Sequence, residues 1–312
     1  MLRTEHLSKS YDTTVAVHDL NLNIAPGEIY GFLGPNGAGK TTTIRLLLGL
    51  LKPTNGRIFL FDNPITDNII ALKRRIGVVA EEPPIANRMT AWELVRYFAD
   101  LNYVTNPEAR MEKLFHALDL WEVRHALASA YSRGMRQKLS LIRALVHTPD
   151  LLILDEPVSG LDPFGIRQVR AVVDEHREQG GAVLISSHIL SEVERSASRI
   201  GILHQGNLLV EDTINGIRTR IGGTHVVKIE LLEVPVSLSG QLELIPEVQK
   251  IEAQENRITL HLSGSRDARP EIFQAVVAAG GILLTMEMEE MSLEEAFVTI
   301  TNQNVQQLAG AE

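Results

Sequence analysis

The sequence has no cysteine among its 312 residues, which excludes disulfides and thiolate metal sites and fits a cytosolic setting. No uncharged apolar run approaches the ~18 residues of a membrane span. The best candidate, residues 44–51, is short and carries Arg45. The start, Met1-Leu2-Arg3-Thr4-Glu5-His6, lacks the apolar core of a secretory signal. Repeats and low-complexity tracts are missing too. Basic excess is equally absent. Net charge is −9, and residues 224–312 carry all of it, with 14 Asp/Glu against 5 Lys/Arg; residues 1–223 hold 25 of each. Without a basic field, neither nucleic acid nor an anionic membrane surface is favoured, and any polyanion must be bound locally. What remains is 44% hydrophobic and 22% charged, a soluble, globular composition with enough chain for one large domain or two ordinary ones.

Nine residues carry the strongest signal: Gly34-Pro35-Asn36-Gly37-Ala38-Gly39-Lys40-Thr41-Thr42. They fit G-x-x-x-x-G-K-[ST] between an apolar strand at 29–33 and a helix from about Thr41. Glycine lets successive backbone N–H groups point into one concavity, where a β-carbon would block phosphate oxygens. The helix start adds about half a positive charge. Lys40 can then reach the β- and γ-phosphates, and the Thr41 hydroxyl can ligate Mg²⁺.

Residues 1 to about 218 read as short apolar strands alternating with helices, the strands falling at 58–61, 77–80, 151–154, 182–186 and 200–204. Near-continuous apolar runs suit a parallel sheet buried on both faces. Between Pro83 and Tyr131 the pattern turns helical. Thr90-Ala91-Trp92-Glu93 is a capping box ahead of Leu94, Val95, Phe98 and Leu101, and Asn106-Pro107 starts a helix with Met111, Leu114, Phe115 and Leu118 on one stripe. A helical subdomain over about 83–145 is therefore expected inside an α/β domain of residues 1–220. A break falls at Ile221-Gly222-Gly223-Thr224. Beyond it the order β-α-β-β-α-β, with strands at 225–232, 248–253, 257–262 and 282–288 and helices at 237–244 and 268–279, predicts a ferredoxin-like α+β domain over 224–302. A last helix is expected at 292–301, then a frayed tail at 303–312.

Four further stretches join the loop. Leu151-Leu152-Ile153-Leu154-Asp155-Glu156-Pro157 is a strand delivering two carboxylates at its C-terminal end, where open α/β sheets bind ligands. Asp155 can hold Mg²⁺, and Glu156 can orient or deprotonate an attacking water, a role worth ~10²–10⁴ in rate. Ser159-Gly160-Leu161-Asp162 follows, and another strand ends in Ser186-Ser187-His188. A lone histidine at a strand end is more often structural; beside a phosphate site it reads as a γ-phosphate contact. Tyr131-Ser132-Arg133-Gly134-Met135-Arg136-Gln137 opens a helix, and Ser132 with Gly134 makes a second anion receptor. One nucleotide needs one phosphate loop, so a second receptor makes sense if two chains share each nucleotide.

Taken together, residues 1–218 resemble the ATP-binding cassette (ABC) ATPases. GPNGAGKTT matches the family's Walker A, LLILDEP its Walker B, SGLD its D-loop and His188 its switch histidine. Tyr11 stands where the family stacks an aromatic on adenine. YSRGMRQ resembles the LSGGQ signature, with Arg133 for its first glycine and Met135 for its glutamine; with Ser292-Leu293-Glu294-Glu295-Ala296-Phe297 it resembles the ATPase subunits of type-2 exporters. The resemblance implies binding and hydrolysis of ATP with Mg²⁺, pairing with a second copy or a related ATPase subunit, and separate membrane permeases received near residues 84–98. It implies an address on the cytoplasmic face of the membrane. One position departs: Glu81 stands where the family usually has a glutamine that touches Mg²⁺. A negative charge ~4 Å from phosphate would cost about 4 kcal/mol at an effective dielectric of 20, so Glu81 is expected to face the metal or swing away until the site closes. A soluble ABC ATPase acting on ribosomes or DNA is the alternative, against which stand the single cassette, a stretch of only about 47 residues between Pro83 and Tyr131, and the missing basic field. A P-loop kinase would have no use for Ser132-Arg133-Gly134.

Overall fold

Unbroken apolar runs dictate the central layer. Ile29–Leu33, Leu151–Asp155 and Ala182–Ser187 are buried at every position, as strands are when both sheet faces are covered. The computed structural model describes residues 1–65, 69–82, 88–220, 225–263 and 266–289, and there these strands join a six-stranded sheet. Its order is Asn207–Thr213, Arg199–His204, Ile29–Leu33, Ala182–Ser187, Leu151–Asp155, Ile76–Val79. From Arg199–His204 onward neighbours run parallel. In register, Leu33 pairs with Ser187 and Asp155 with Ser186, so the loop after residue 33 and the acids of residues 155–156 emerge at the same end.

A second sheet, antiparallel, was not legible in the sequence. It comprises Leu2–Tyr11, Thr14–Leu20, Asn23–Ile24, Asn55–Leu60 and Asn63–Pro64, of which only the 58–61 stretch reads as a strand. The reason is half-burial. Along Leu2–Tyr11, buried Leu2, Thr4 and Leu7 are separated by Arg3, Glu5 and His6, so no apolar run forms. The buried side chains of both sheets nevertheless merge into one core, Leu2, Leu7, Leu20 and Ile58 with Phe32, Leu46, Ile153 and Leu184.

The helical region forms as the pattern dictates. Thr90 caps Ala91–Leu101: its hydroxyl accepts from the Glu93 amide at 3.2 Å, and the Glu93 carboxylate accepts from the Thr90 amide at 2.9 Å. Glu108–Ala117 buries Met111, Leu114 and Phe115, and Trp92 lies 5.6 Å from Phe115 and 6.0 Å from Trp121 between ring centroids. Arg133–Leu145 follows.

The chain divides into two compact units, Met1–Glu211 and Asp212–Glu312; the break expected at 221–224 lies outside the described residues. In the second unit the sheet order is Val248–Gln254, Arg257–Leu262, His225–Leu231, Leu283–Glu289, with every neighbour antiparallel, the ferredoxin-like arrangement. Helices Leu238–Leu242 and Arg269–Ala278 lay Leu238, Leu242, Ile272 and Val276 on Val227, Ile229, Ile258 and Leu260. The helix expected at 292–301 and the tail lie outside the described residues.

One buried base makes the first unit's stability pH-dependent. His176, on helix Pro163–Glu178, is buried, and its Nε2 has no hydrogen-bond partner among the described residues. Burial, reinforced by Arg110, pushes its pKa below the usual 6.5, with the Ala182 backbone and Asp150 opposing. His147 shifts the same way, again through burial. The unfolded chain takes up these protons more readily than the folded one, so stability is complete above 6.5 and declines as pH falls toward the depressed values. The melting temperature should fall between pH 7 and pH 5, and His176→Leu should flatten that fall. Equal acid slopes in both proteins would contradict this.

Candidate functional site

Strand Ile29–Leu33 runs into the glycine loop and straight on into helix Lys40–Leu47. Gly39 caps that helix at φ +106°, where a Cβ would lie 2.4 Å from the Ala16 carbonyl oxygen. Gly37, at φ +81°, has open space around it. The neck of the loop is thus tight and its tip free. By helix geometry the first-turn amides have no partner within the helix and point out of its N-terminus.

Lys40 is 6% exposed, and its ammonium donates to the carbonyls of Gly34 at 2.6 Å and Pro35 at 3.3 Å. It also lies 3.9 Å from Glu156 Oε1. Burial pushes its pKa down, while Glu156, Asp155 and Glu81 pull it back up. Thr41 Oγ1 donates to Asp155 Oδ2 at 3.4 Å, and the Ser186 hydroxyl bonds the other Asp155 oxygen. Glu156 is buried, stands at φ +49°, and places Oε2 2.9 Å from His188 Nδ1 and 3.4 Å from the Ser187 hydroxyl. A left-handed backbone at a non-glycine residue costs roughly 1–2 kcal/mol and marks a position held by its surroundings.

Lys40, Thr41, Asp155 and Glu156 converge on one cleft of about 390 Å³, while His188, Ser186 and Ser187 touch the acids without lining it. Pro35, Asn36, Gly37, Gly39, Lys40, Thr41 and Thr42 line it opposite Glu81, Asp155 and Glu156; Gly34 and Ala38 are buried beneath. Clustered hard oxygen donors beside a buried ammonium and a helix N-terminus can bind a polyphosphate with its cation, and Glu156 can steer a water. Ser186 and Ser187 escaped the sequence reading as site residues. Their signal was two hydroxyls closing an apolar strand, but only the register sets them against the two acids.

Tyr11, Ser132, Gly134 and His188 do not line the cleft. Tyr11 is 43% exposed, with the Lys9 ammonium 5.1 Å from its ring centroid. Ser132 is exposed at the N-cap of Arg133–Leu145, where its hydroxyl accepts from the Met135 amide at 3.2 Å.

The loop geometry separates two glycine substitutions. Gly39→Ala drives a Cβ into the Ala16 carbonyl besides straining φ, whereas Gly37→Ala carries only the conformational cost of roughly 1–2 kcal/mol. Thermal melting should rank Gly39→Ala well below Gly37→Ala; the reverse order would be inconsistent with the tight neck.

The comparisons agree with this geometry. Residues 17–159 match the ABC transporter family, and residues 213–301 match the C-terminal domain of ATP-binding proteins like DrrA1-3. Bacitracin transport ATP-binding protein BcrA of Bacillus licheniformis is 36% identical over 96% of this chain and 97% of its own. Lantibiotic transport ATP-binding protein SrtF of Streptococcus pyogenes is 35% identical over 69% of this chain and 92% of its own. A solved ATP-binding subunit of an ABC transporter superposes with a TM-score of 0.68 at 30% identity, over 70% of this chain and 92% of that one. Transport subunits, not ribosome- or DNA-acting proteins, are the relatives named. The chain belongs to the ABC transporter family, as a subunit that binds ATP and hydrolyses it to drive transport.

Proposed function

We propose that two such cassettes, this chain twice or once with a related subunit, close head to tail over two nucleotides and drive a separate membrane permease. The observation that carries this reading is the split between receptors: the Ser132 turn is exposed and outside its own chain's cleft, so a partner's γ-phosphate is what it can serve. Relatives named for bacitracin and lantibiotic transport support an exporter with cargo of that class. No helix among the described residues is long and apolar enough to cross a membrane; relatives that are transport ATP-binding proteins support a peripheral subunit on the cytoplasmic face, attached through the permease.

In this reading the backbone of residues 34–42 and the Lys40 ammonium hold the phosphates, and Tyr11 stacks on the adenine. Thr41 and Asp155 fit Mg²⁺: their oxygens lie 3.4 Å apart, both are hard donors, and Ser186 fixes the aspartate. When bound, the cation supplies charge neutralisation on the β- and γ-phosphate oxygens. Glu81, on the rim of the same cleft, would add a further oxygen donor to that cation, or swing away until the site closes. Glu156 orients the attacking water and takes its proton. His188, hydrogen-bonded to Glu156, contacts the γ-phosphate. Ser132 and Gly134 of the second cassette cover that phosphate, so ATP joins the pair and its loss releases it.

Removing the base while keeping the shape should trap the closed state. Glu156→Gln with ATP should elute from a sizing column at twice the monomer mass and turn over at least ~10²-fold more slowly; a variant that hydrolyses at the normal rate rules Glu156 out as base. Glu81→Gln should leave ATP affinity nearly intact while altering turnover. Hydrolysis and transport coupling both unchanged would remove Glu81 from the site.

A further inference from the structure

We infer that Arg133 is a positioning residue that ties the Ser132 turn to the backbone following Glu156, so that engagement of a partner's nucleotide sets this chain's own base. The inference rests on the paired-cassette reading above and adds to it a route by which one pocket answers to the other.

Arg133 is the first residue of helix Arg133–Leu145, directly after the Ser132 cap. A cation there runs against the helix dipole, so local helix energetics do not explain it. Its tertiary contacts do. Nη2 donates to the Ser159 hydroxyl at 2.9 Å. Its stem crosses Gly160, which stands at φ +77° and where a Cβ would lie 3.0 Å from Arg133 Cδ. The neighbouring Gly134 sits just as close, since a Cβ there would come 3.1 Å from the Gly160 carbonyl oxygen.

One helical turn further, Gln137 is 4% exposed and its side-chain amide donates to the Glu156 carbonyl at 3.3 Å. That carbonyl also accepts from the Ser159 amide at 3.2 Å. The helix therefore grips segment 156–160 at both ends, with Arg133 at Ser159 and Gln137 at Glu156, from positions that share one face. Lys138 adds a bond to Gln168 at 2.7 Å. Glu156 itself is at φ +49°, a conformation it keeps only while its surroundings enforce it. A helix is stiff over a single turn. A pull on the Ser132 cap by a phosphate thus moves both grips together and shifts the Glu156 backbone. Of the two grips, only Arg133 lies in the phosphate-facing turn itself.

The test compares Arg133→Met, which keeps the stem and loses the donors, with Ser159→Ala, the double variant and Arg133→Lys, all in the full chain. Arg133→Met should lower kcat about tenfold, the loss expected for one charge-assisted hydrogen bond, with KM within about twofold and the Hill coefficient for ATP falling toward one. Ser159→Ala should reproduce this, the double variant should be no worse than either single, and Arg133→Lys should recover part of the loss. Melting temperatures matching the wild type separate positioning from misfolding, and Ser159→Ala carries the test if Arg133→Met melts early. A kcat for Arg133→Met within about twofold of wild type, or losses that multiply in the double variant, overturns the positioning role. A wild-type Hill coefficient of one, with no ATP-dependent dimer from Glu156→Gln, instead overturns the paired-cassette reading and the relay with it.

Discussion

One ammonium is buried against two buried carboxylates at the end of a parallel sheet, and the site is organised around that imbalance. Lys40, Asp155 and Glu156 are each 5–6% exposed, and Glu81 adds a third acid on the rim. Taken alone, these four side chains repel a triphosphate. Each like-charge pair at about 4 Å is worth about 4 kcal/mol at an effective dielectric of 20, so Lys40 cannot offset the acids and an incoming anion together. The loop's amide array and the helix N-terminus supply part of the difference. In the proposed reading, a divalent cation arriving with the nucleotide would supply the rest, and the acids would then serve as its ligands. Keeping Lys40 charged follows the same logic, since burial lowers its pKa and the very acids that would repel phosphate hold it up.

That arrangement requires several strand ends to meet at one edge, which is what a parallel sheet provides. The pairings Leu33 with Ser187 and Asp155 with Ser186 fix the loop, both acids and both serine hydroxyls on one edge. The Ser132 turn belongs to a different element and stays outside this convergence. Its hydroxyl caps its own helix, and its neighbours Arg133 and Gln137 reach back to the segment after the acids. In the paired-cassette reading, a turn bonded to the segment after the acids yet outside their cleft is where a partner's nucleotide would engage.

The sequence exposes these features unevenly, for physical reasons. Strands buried on both faces announce themselves as apolar runs, and the glycine loop and the acid pair announce themselves as motifs because each is contiguous in the chain. Leu2–Tyr11 and Thr14–Leu20 were hidden because their outer faces are solvated, which breaks their apolar residues into singles. Ser186 and Ser187 were hidden because a hydroxyl acquires meaning only from the strand beside it. The bond from Gln137 to Glu156 ends on a backbone carbonyl, which no residue type encodes. What is local was legible; what depends on register or on main-chain acceptors was not.

Buried polarity separates the two units as well. Among the described residues, every buried polar or charged side chain belongs to the first unit: Thr4, Lys40, Thr43, Gln137, Ser140, Asp155, Glu156, His176, Ser186 and Ser187. The second unit's core is wholly apolar, from Val227 and Ile229 to Ile272 and Val276. Its charged groups pair on the surface instead, Arg257 with Glu230, and Glu252 with both Lys250 and His261. Burying an ion costs several kcal/mol unless it is compensated, so a fold retains one where chemistry demands it.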